Sequence, residues 1–230
     1  MTENGEEVAM KEDERIRNDI QEEIAWDPRV KTTDIGVTVK NGAVRLTGTV
    51  ASYAERYAAE TAAKRVKGVH AVAEDIEISL PNDDKVTDEV IAERISNLLE
   101  WNVIIPDPHI QAEVRNGYVT LTGEVDWNFE RDTIKNQVIH MYGVRGVDNR
   151  VMLRKKAQKK QVSERDIKYQ ITRALHRNAD LEKSKINIAV DGNKVTLTGD
   201  INANYEKALI ERAAWSAQGV MQVVDNLRVN

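Results

Sequence analysis

Asn41-Gly42-Ala43-Val44-Arg45-Leu46-Thr47-Gly48-Thr49-Val50 is the stretch whose reading decides the fold. An Asn-Gly pair supplies the positive φ of a tight hairpin turn, and Val44, Leu46 and Gly48 then mark one face of a strand at period two. Ile35, Val37 and Val39 alternate in the same way before the turn, as the first arm of the hairpin. The phrase returns as Asn116-Gly117-Tyr118-Val119-Thr120-Leu121-Thr122-Gly123 and as Asp191-Gly192-Asn193-Lys194-Val195-Thr196-Leu197-Thr198-Gly199. The Leu-Thr-Gly triplets stand at offsets of 75 and 76, and so do Gly68-Val69, Gly143-Val144 and Gly219-Val220 downstream. Landmarks that keep register through three copies establish a tandem repeat.

Helices flank each hairpin. Upstream, Ile16, Ile20 and Ile24 recur every four residues, as do Ile91, Ile95 and Leu99, and Ile167, Ile171 and Leu175, each drawing an apolar stripe along one helix face. Ser163 followed by Asp166 resembles a capping box at the third start. Downstream, Ala59, Ala63 and Val66 correspond to Ile134, Val138 and Met141, and to Ile210, Ala214 and Ala217, at helical spacing. That helix stops at Gly68, Gly143 or Gly219, where a left-handed C-cap is tolerated. A last strand covers Ile76–Ile78, Val151–Leu153 and Leu227–Val229.

The fold class is therefore α+β: three tandem α-β-β-α-β units, each with two helices packed on a three-stranded mixed sheet. The units span 12–80, 86–153 and 162–230, preceded by an acidic N-terminal tail, 1–11, with a basic linker at 154–161 between the second and third. Units of about 70 residues are large enough to own a core. Period leaves the place of the last strand open. In the third copy Asn193-Lys194 adds a residue after Asp191-Gly192, so a different hairpin geometry is expected there.

Charge is uneven along the chain. Net charge is −5, but Lys and Arg number 10 against 13 Asp and Glu in 12–80, 6 against 11 in 86–153 and 10 against 9 in 162–230. The linker adds five cations, Arg154, Lys155, Lys156, Lys159 and Lys160, and no anion. Attraction to an anionic partner is thus expected near the linker and third unit. The absence of cysteine excludes disulfides, thiolate metal sites and thiol nucleophiles. Met1–Glu14 shows neither a basic n-region nor an apolar h-region, which gives a cytoplasmic expectation for the chain as numbered, with a periplasmic alternative if a leader was removed.

The whole pattern resembles the BON domain, a bacterial family named for osmotic-stress and nodulation proteins. The resemblance rests on Asn41–Val50 with Glu55-Arg56, Ala58-Ala59, Val66, Gly68-Val69 and Val72. In the second unit it rests on Asn116–Val125, Glu130-Arg131 and Gly143-Val144, and in the third on Val195–Gly199, Glu206-Lys207 and Gly219-Val220. It implies an adaptor module of stress, secretion and transport-associated proteins, with phospholipid as a proposed ligand. It also implies a third reading, a monovalent-cation sensor.

Enzyme chemistry finds no foothold. His70, His109, His140 and His176 lie 31 or more residues apart, without metal-ligand spacing, so no metal site and no cofactor are assigned. No G-x-S-x-G elbow or phosphate-binding glycine motif occurs, and three similar units do not suggest a singular catalytic centre, so no catalytic residue is assigned. Glu55, Glu130 and Glu206 recur early in the second helix, where a carboxylate is favoured by the helix dipole by about 0.3–1 kcal/mol. Gly42, Gly48, Gly68, Gly117, Gly123, Gly143, Gly192, Gly199 and Gly219 read as fold determinants.

The candidate contacts for a partner or lipid are Trp101, Ile104, Ile105, Trp127 and Phe129 in the second unit, with Lys155, Lys156, Lys159 and Lys160 in the linker. Amphipathic aromatics beside an apolar loop suit a membrane interface or a protein hot spot, and packing between units would use them as well. The expected function is a non-enzymatic binding or scaffold protein linked to envelope or osmotic stress, binding phospholipid headgroups or a membrane-associated protein. The alternative is a protein-interaction or self-assembly module. Nucleic acid is set aside, since the sheets lack aromatic-basic runs and no helix is strongly basic.

Overall fold

The computed structural model describes residues 3–31, 34–79, 86–102, 110–154, 162–177 and 185–229. The first copy contains helix α1 (Glu3–Trp26), strands β1 (Ile35–Lys40) and β2 (Ala43–Val50), helix α2 (Tyr53–Arg65) and strand β3 (Ala71–Ile78). The second contains α3 (Asp88–Trp101), β4 (Gln111–Arg115), β5 (Tyr118–Thr122), β6 (Glu124–Val125), α4 (Asn128–Ile139), β7 (Gly146–Asn149) and β8 (Met152–Leu153). The third contains α5 (Glu164–His176), β9 (Lys185–Asp191), β10 (Lys194–Ile201), α6 (Asn204–Trp215) and β11 (Gln222–Val229).

Each sheet has the second hairpin strand at its centre: β1-β2-β3, β4-β5-β7 and β11-β10-β9, with β6 and β8 extending the second copy as a short pair. The hairpins are antiparallel, while β5–β7, β6–β8 and β10–β11 pair in parallel. The last strand thus lies beside the second, joined to it by the helix that a parallel crossover requires. That strand also begins earlier than its apolar triplet suggests, at Ala71 and Gln222. Pairing on one edge alone lets polar positions join the ladder.

The first helix stripes are buried in every copy, with Ile16, Ile20, Ile91, Ile95, Ile167 and Ile171 at most 1% exposed. Around them the third copy gathers Val195, Leu197, Ile210, Ala214 and Leu227, and the second gathers Val119, Leu121, Ile134, Val138 and Val151. These are the alternating strand positions and the helix positions read from period. Residues 1–11, read as an acidic tail, belong to α1 from Glu3 onward. A Glu-, Lys- and Ala-containing run has enough helix propensity to continue the apolar-striped helix backwards.

The hairpin turns differ as the third sequence suggested, but for another reason. In the first two copies Asn41 and Gly42, and Asn116 and Gly117, all have positive φ, the type I′ arrangement. In the third, Asp191 pairs with Lys194, so the loop is Gly192-Asn193 and its length is unchanged. Gly192 takes the positive φ at the first central position, as in a type II′ turn. Asn193, standing where Gly42 and Gly117 stand, donates its side-chain amide to the Gly219 carbonyl at 2.5 Å.

All nine repeated glycines have positive φ. Gly48 shows the constraint most sharply: its φ is 125°, and a Cβ there would lie 1.9 Å from the Asp34 carbonyl oxygen. The Leu-Thr-Gly triplet of the first copy therefore ends on a backbone position that admits no side chain, and Gly123 and Gly199 share its positive φ.

The chain divides into two compact bodies. One holds Met1–Gly48, Ala58–Asp75 and Gln158–Asn230, and the other holds Thr49–Tyr57 and Ile76–Ala157. The boundary cuts across the first copy, so each body joins part of that copy to one complete neighbour.

Candidate functional site

A carboxylate recurs at one repeat position of each first helix, inside α1 and at the first residue of α3 and α5, and grips the hairpin turn. Asp13 accepts hydrogen bonds from the Asn41 and Gly42 N–H groups at 2.8 and 3.1 Å. Asp88 accepts from Asn116 and Gly117 at 2.6 and 2.8 Å, and Glu164 accepts from Gly192 at 2.8 Å. These anions occupy the same repeat position, and only their spacing to the turn could have singled them out among so many surface acids.

The second recurring carboxylate is buried. Glu55, Glu130 and Glu206 are 4%, 8% and 2% exposed. Glu55 accepts from the Ala51 N–H, Glu130 from Asp126 and Trp127, and Glu206 from Asn202. In the first copy Ser52 Oγ also accepts from the Glu55 N–H, the N-cap half of a Ser-x-x-Glu capping box, while the Glu55 carboxylate reaches one residue further back to Ala51. Each glutamate closes the loop that enters the second helix, a more specific duty than favourable placement in the helix dipole.

Among the described residues, two acidic groups sheltered from solvent are held below their ordinary range. Asp27, 6% exposed, receives two side-chain hydrogen bonds and one backbone hydrogen bond from Arg29, with Arg65 nearby, and its carboxyl sits at about 2. Burial pushes the Asp225 carboxyl up, but hydrogen bonds from Lys207 and the Leu227 N–H outweigh it and leave the group lowered. Both are ion-paired anchors on packed elements. Among the described residues no group of three or more His, Asp or Glu side chains is placed to hold a metal ion, and no helix is long and apolar enough to cross a membrane.

Aromatic residues divide by copy. Tyr53 packs against the core of the second copy, Arg56 lies over its ring at 4.9 Å, and Lys135 lies over Tyr57 at 5.5 Å. In the second copy the corresponding loop stays open to solvent, with Trp127 52% and Phe129 56% exposed. Trp101, at the end of α3, is 81% exposed, and Trp26 at the matching place in α1 is 87% exposed. Asn102, next to Trp101, donates to Gln137 at 2.6 Å. Gln137 lies two turns of α4 beyond Phe129, a rise of about 12 Å. Trp101 and the Trp127–Phe129 pair therefore stand at different levels of α4. Ile104, Ile105, Lys155, Lys156, Lys159 and Lys160 lie outside the described residues.

The BON-domain pattern matches residues 12–79, 87–155 and 163–230. The chain belongs to the BON-domain family. Three tandem BON domains thus account for nearly its whole length, and this membership supports a non-enzymatic protein. The chain is 28% identical over 142 residues to osmotically-inducible protein Y of Escherichia coli (strain K12), spanning 60% of this chain and 71% of that protein. Two structures of CdsD, a structural protein of the type III secretion system of Chlamydia trachomatis, align over 93% of this chain. One of them, the C-terminal domain, aligns over 96% of its own length at 15% identity and a TM-score of 0.25. The other aligns over 91% of its length at 14% identity and a TM-score of 0.26. Likeness at these scores carries no weight for the architecture.

Two features escaped the sequence reading. Ala58 and Ala62 are buried at 1% and 0%, a second apolar stripe on α2 beside Ala59 and Ala63. The equivalent positions in α4 are Thr133 and Gln137, so a run of alanines in one copy against polar residues in another was the available signal. The carboxylate grip on the hairpin turns is the other.

Proposed function

We propose that this protein is a non-enzymatic, multivalent scaffold of the osmotic and envelope stress response that engages phospholipid headgroups or a membrane-proximal partner. Membership of the BON family and the likeness to an osmotically inducible protein support the stress link. The observation that carries the ligand reading is the exposure of Trp101, Trp127 and Phe129 on one domain of three. Large amphipathic rings left in water lose little by leaving it, and at a bilayer interface they gain both apolar contact and a polar partner for the indole N–H.

Three weak modules on one chain raise the local concentration of the second and third contacts once the first is made. The basic linker places five cations between two of them, which favours anionic headgroups over neutral ones. Co-sedimentation with anionic and neutral vesicles at low salt tests this: the chain pellets with anionic vesicles, and recovery in the supernatant with both kinds would refute the lipid reading.

Self-association is a second reading, favoured by a specific observation: the start of the second helix meets the turn of a neighbouring domain in two independent places.

A further inference from the structure

The register of the repeat makes Tyr53, Asn128 and Asn204 equivalent, at the first position of the second helix in each domain. It also makes Gly68-Val69-His70, Gly143-Val144-Arg145 and Gly219-Val220-Met221 equivalent, as the turn that ends that helix. In one body the Asn204 side-chain amide donates to the Val69 carbonyl at 2.6 Å, so the third domain's helix start rests on the first domain's turn. In the other, Arg56 donates to the Arg145 carbonyl at 2.9 Å while Tyr53 packs against the second domain's core, so the first domain's helix start rests on the second domain's turn. One type of contact is thus made twice with different residues.

The remaining helix start belongs to the second domain, and the remaining turn to the third. At that helix start Trp127 is 52% exposed where its counterpart Ala203 is 1% exposed, and Phe129 is 56% exposed where Tyr205 is 37%. Asn128 repeats the amide of Asn204, its Nδ2 turned within the helix to Asp132 at 2.9 Å in an exposed bond that a carbonyl of a docking turn could replace. At that turn the half-buried Met221 replaces the charged or polar His70 and Arg145, between exposed Gln218 and Gln222. A flexible thioether is well suited to aromatic rings. The charges also match: the second domain has 6 cations against 11 anions, while the third has 10 against 9 and is preceded by the five-cation linker.

We propose that the start of α4 in one molecule, with Trp127, Asn128 and Phe129, docks on the Gly219–Met221 turn of a second copy, so that chains join head to tail. The two surfaces differ, so the contact is heterologous and each added molecule presents both a free helix start and a free turn. Assembly multiplies the ligand sites of the scaffold and rests on that reading for its purpose. Its existence is measured without lipid, so failure of vesicle binding and failure of assembly are separate results.

Light scattering of the full chain over a wide concentration range reads the first consequence: average mass climbs from 26.0 kDa past twice that value and falls back in high salt. Phe129→Glu and Met221→Glu each hold the chain at monomer mass, yet their equimolar mixture forms dimers and nothing larger, because one compatible pair of surfaces survives. The cysteine-free chain allows a control that does not depend on tolerating a buried charge. Mixed Phe129→Cys and Met221→Cys chains form a disulfide-linked dimer on mild oxidation, and neither does so alone. A monomer at every concentration, or an oligomer that Phe129→Glu leaves intact, would overturn the proposal. So would a strictly monomeric chain in which Phe129→Glu abolishes vesicle binding, which would assign this face to lipid.

Discussion

The side-chain amide of Asn204 hydrogen-bonds the backbone carbonyl of Val69 at 2.6 Å across 135 residues of sequence. It is a neutral bond in a half-buried setting, so Asn204→Ala is expected to lower stability by about 1 kcal/mol. Asn128→Ala, at the equivalent position of the second domain, removes only an exposed bond to Asp132 and leaves the thermal midpoint nearly unchanged. Equal losses for the two variants, in thermal denaturation followed by circular dichroism, would show that the Asn204 contact has no special role.

Glu130 closes the entry to α4 by accepting from two backbone N–H groups while 8% exposed. Glu130→Ala strands both donors and is expected to cost about 1–3 kcal/mol, with Glu130→Gln recovering part of it. Urea denaturation measures the difference. A helix-dipole role alone would make the two variants equal and the loss smaller, about 0.3–1 kcal/mol.

Asp27 gives the protein an acid limb. Its carboxyl is held at about 2 by Arg29, with help from Arg65, against an ordinary value of 3.8. A group depressed in the folded state contributes stability above its unfolded pKa and loses it as pH falls through the folded one. The contribution of Asp27 is therefore complete at neutral pH and disappears between about pH 4 and 2. Asp27→Asn is expected to lower the urea midpoint at pH 7 and to flatten its acid dependence across that window; parallel curves for the two proteins would remove Asp27 from the account.

Fold was legible in the sequence wherever one residue type has one physical use. Asn-Gly turns, Leu-Thr-Gly triplets and isoleucines four apart point to single local geometries, and the buried positions of each core follow from them. The strand order was not legible, because period two says which face a residue takes and nothing about which neighbour its backbone finds. Nor was the grip of Asp13, Asp88 and Glu164 on the turns, since an acid on an outward helix position is equally at home in water. The aromatic loop shows the limit most clearly. Tyr53 opens α2 and Trp127 stands just before α4, one repeat position apart in two domains, yet Tyr53 is packed against another domain's core and Trp127 is left in solvent. Composition is blind to that difference, which depends on which domain meets which.

The claim that this chain is a multivalent scaffold for membrane surfaces is tested most directly by co-sedimentation of the full chain with anionic phospholipid vesicles at low salt. The wild-type chain is expected to pellet, and the combined Trp101→Ala, Trp127→Ala and Phe129→Ala variant to bind about tenfold more weakly with its fold intact by circular dichroism. Wild-type chain that stays in the supernatant, or a variant that pellets as well as wild type, would contradict it.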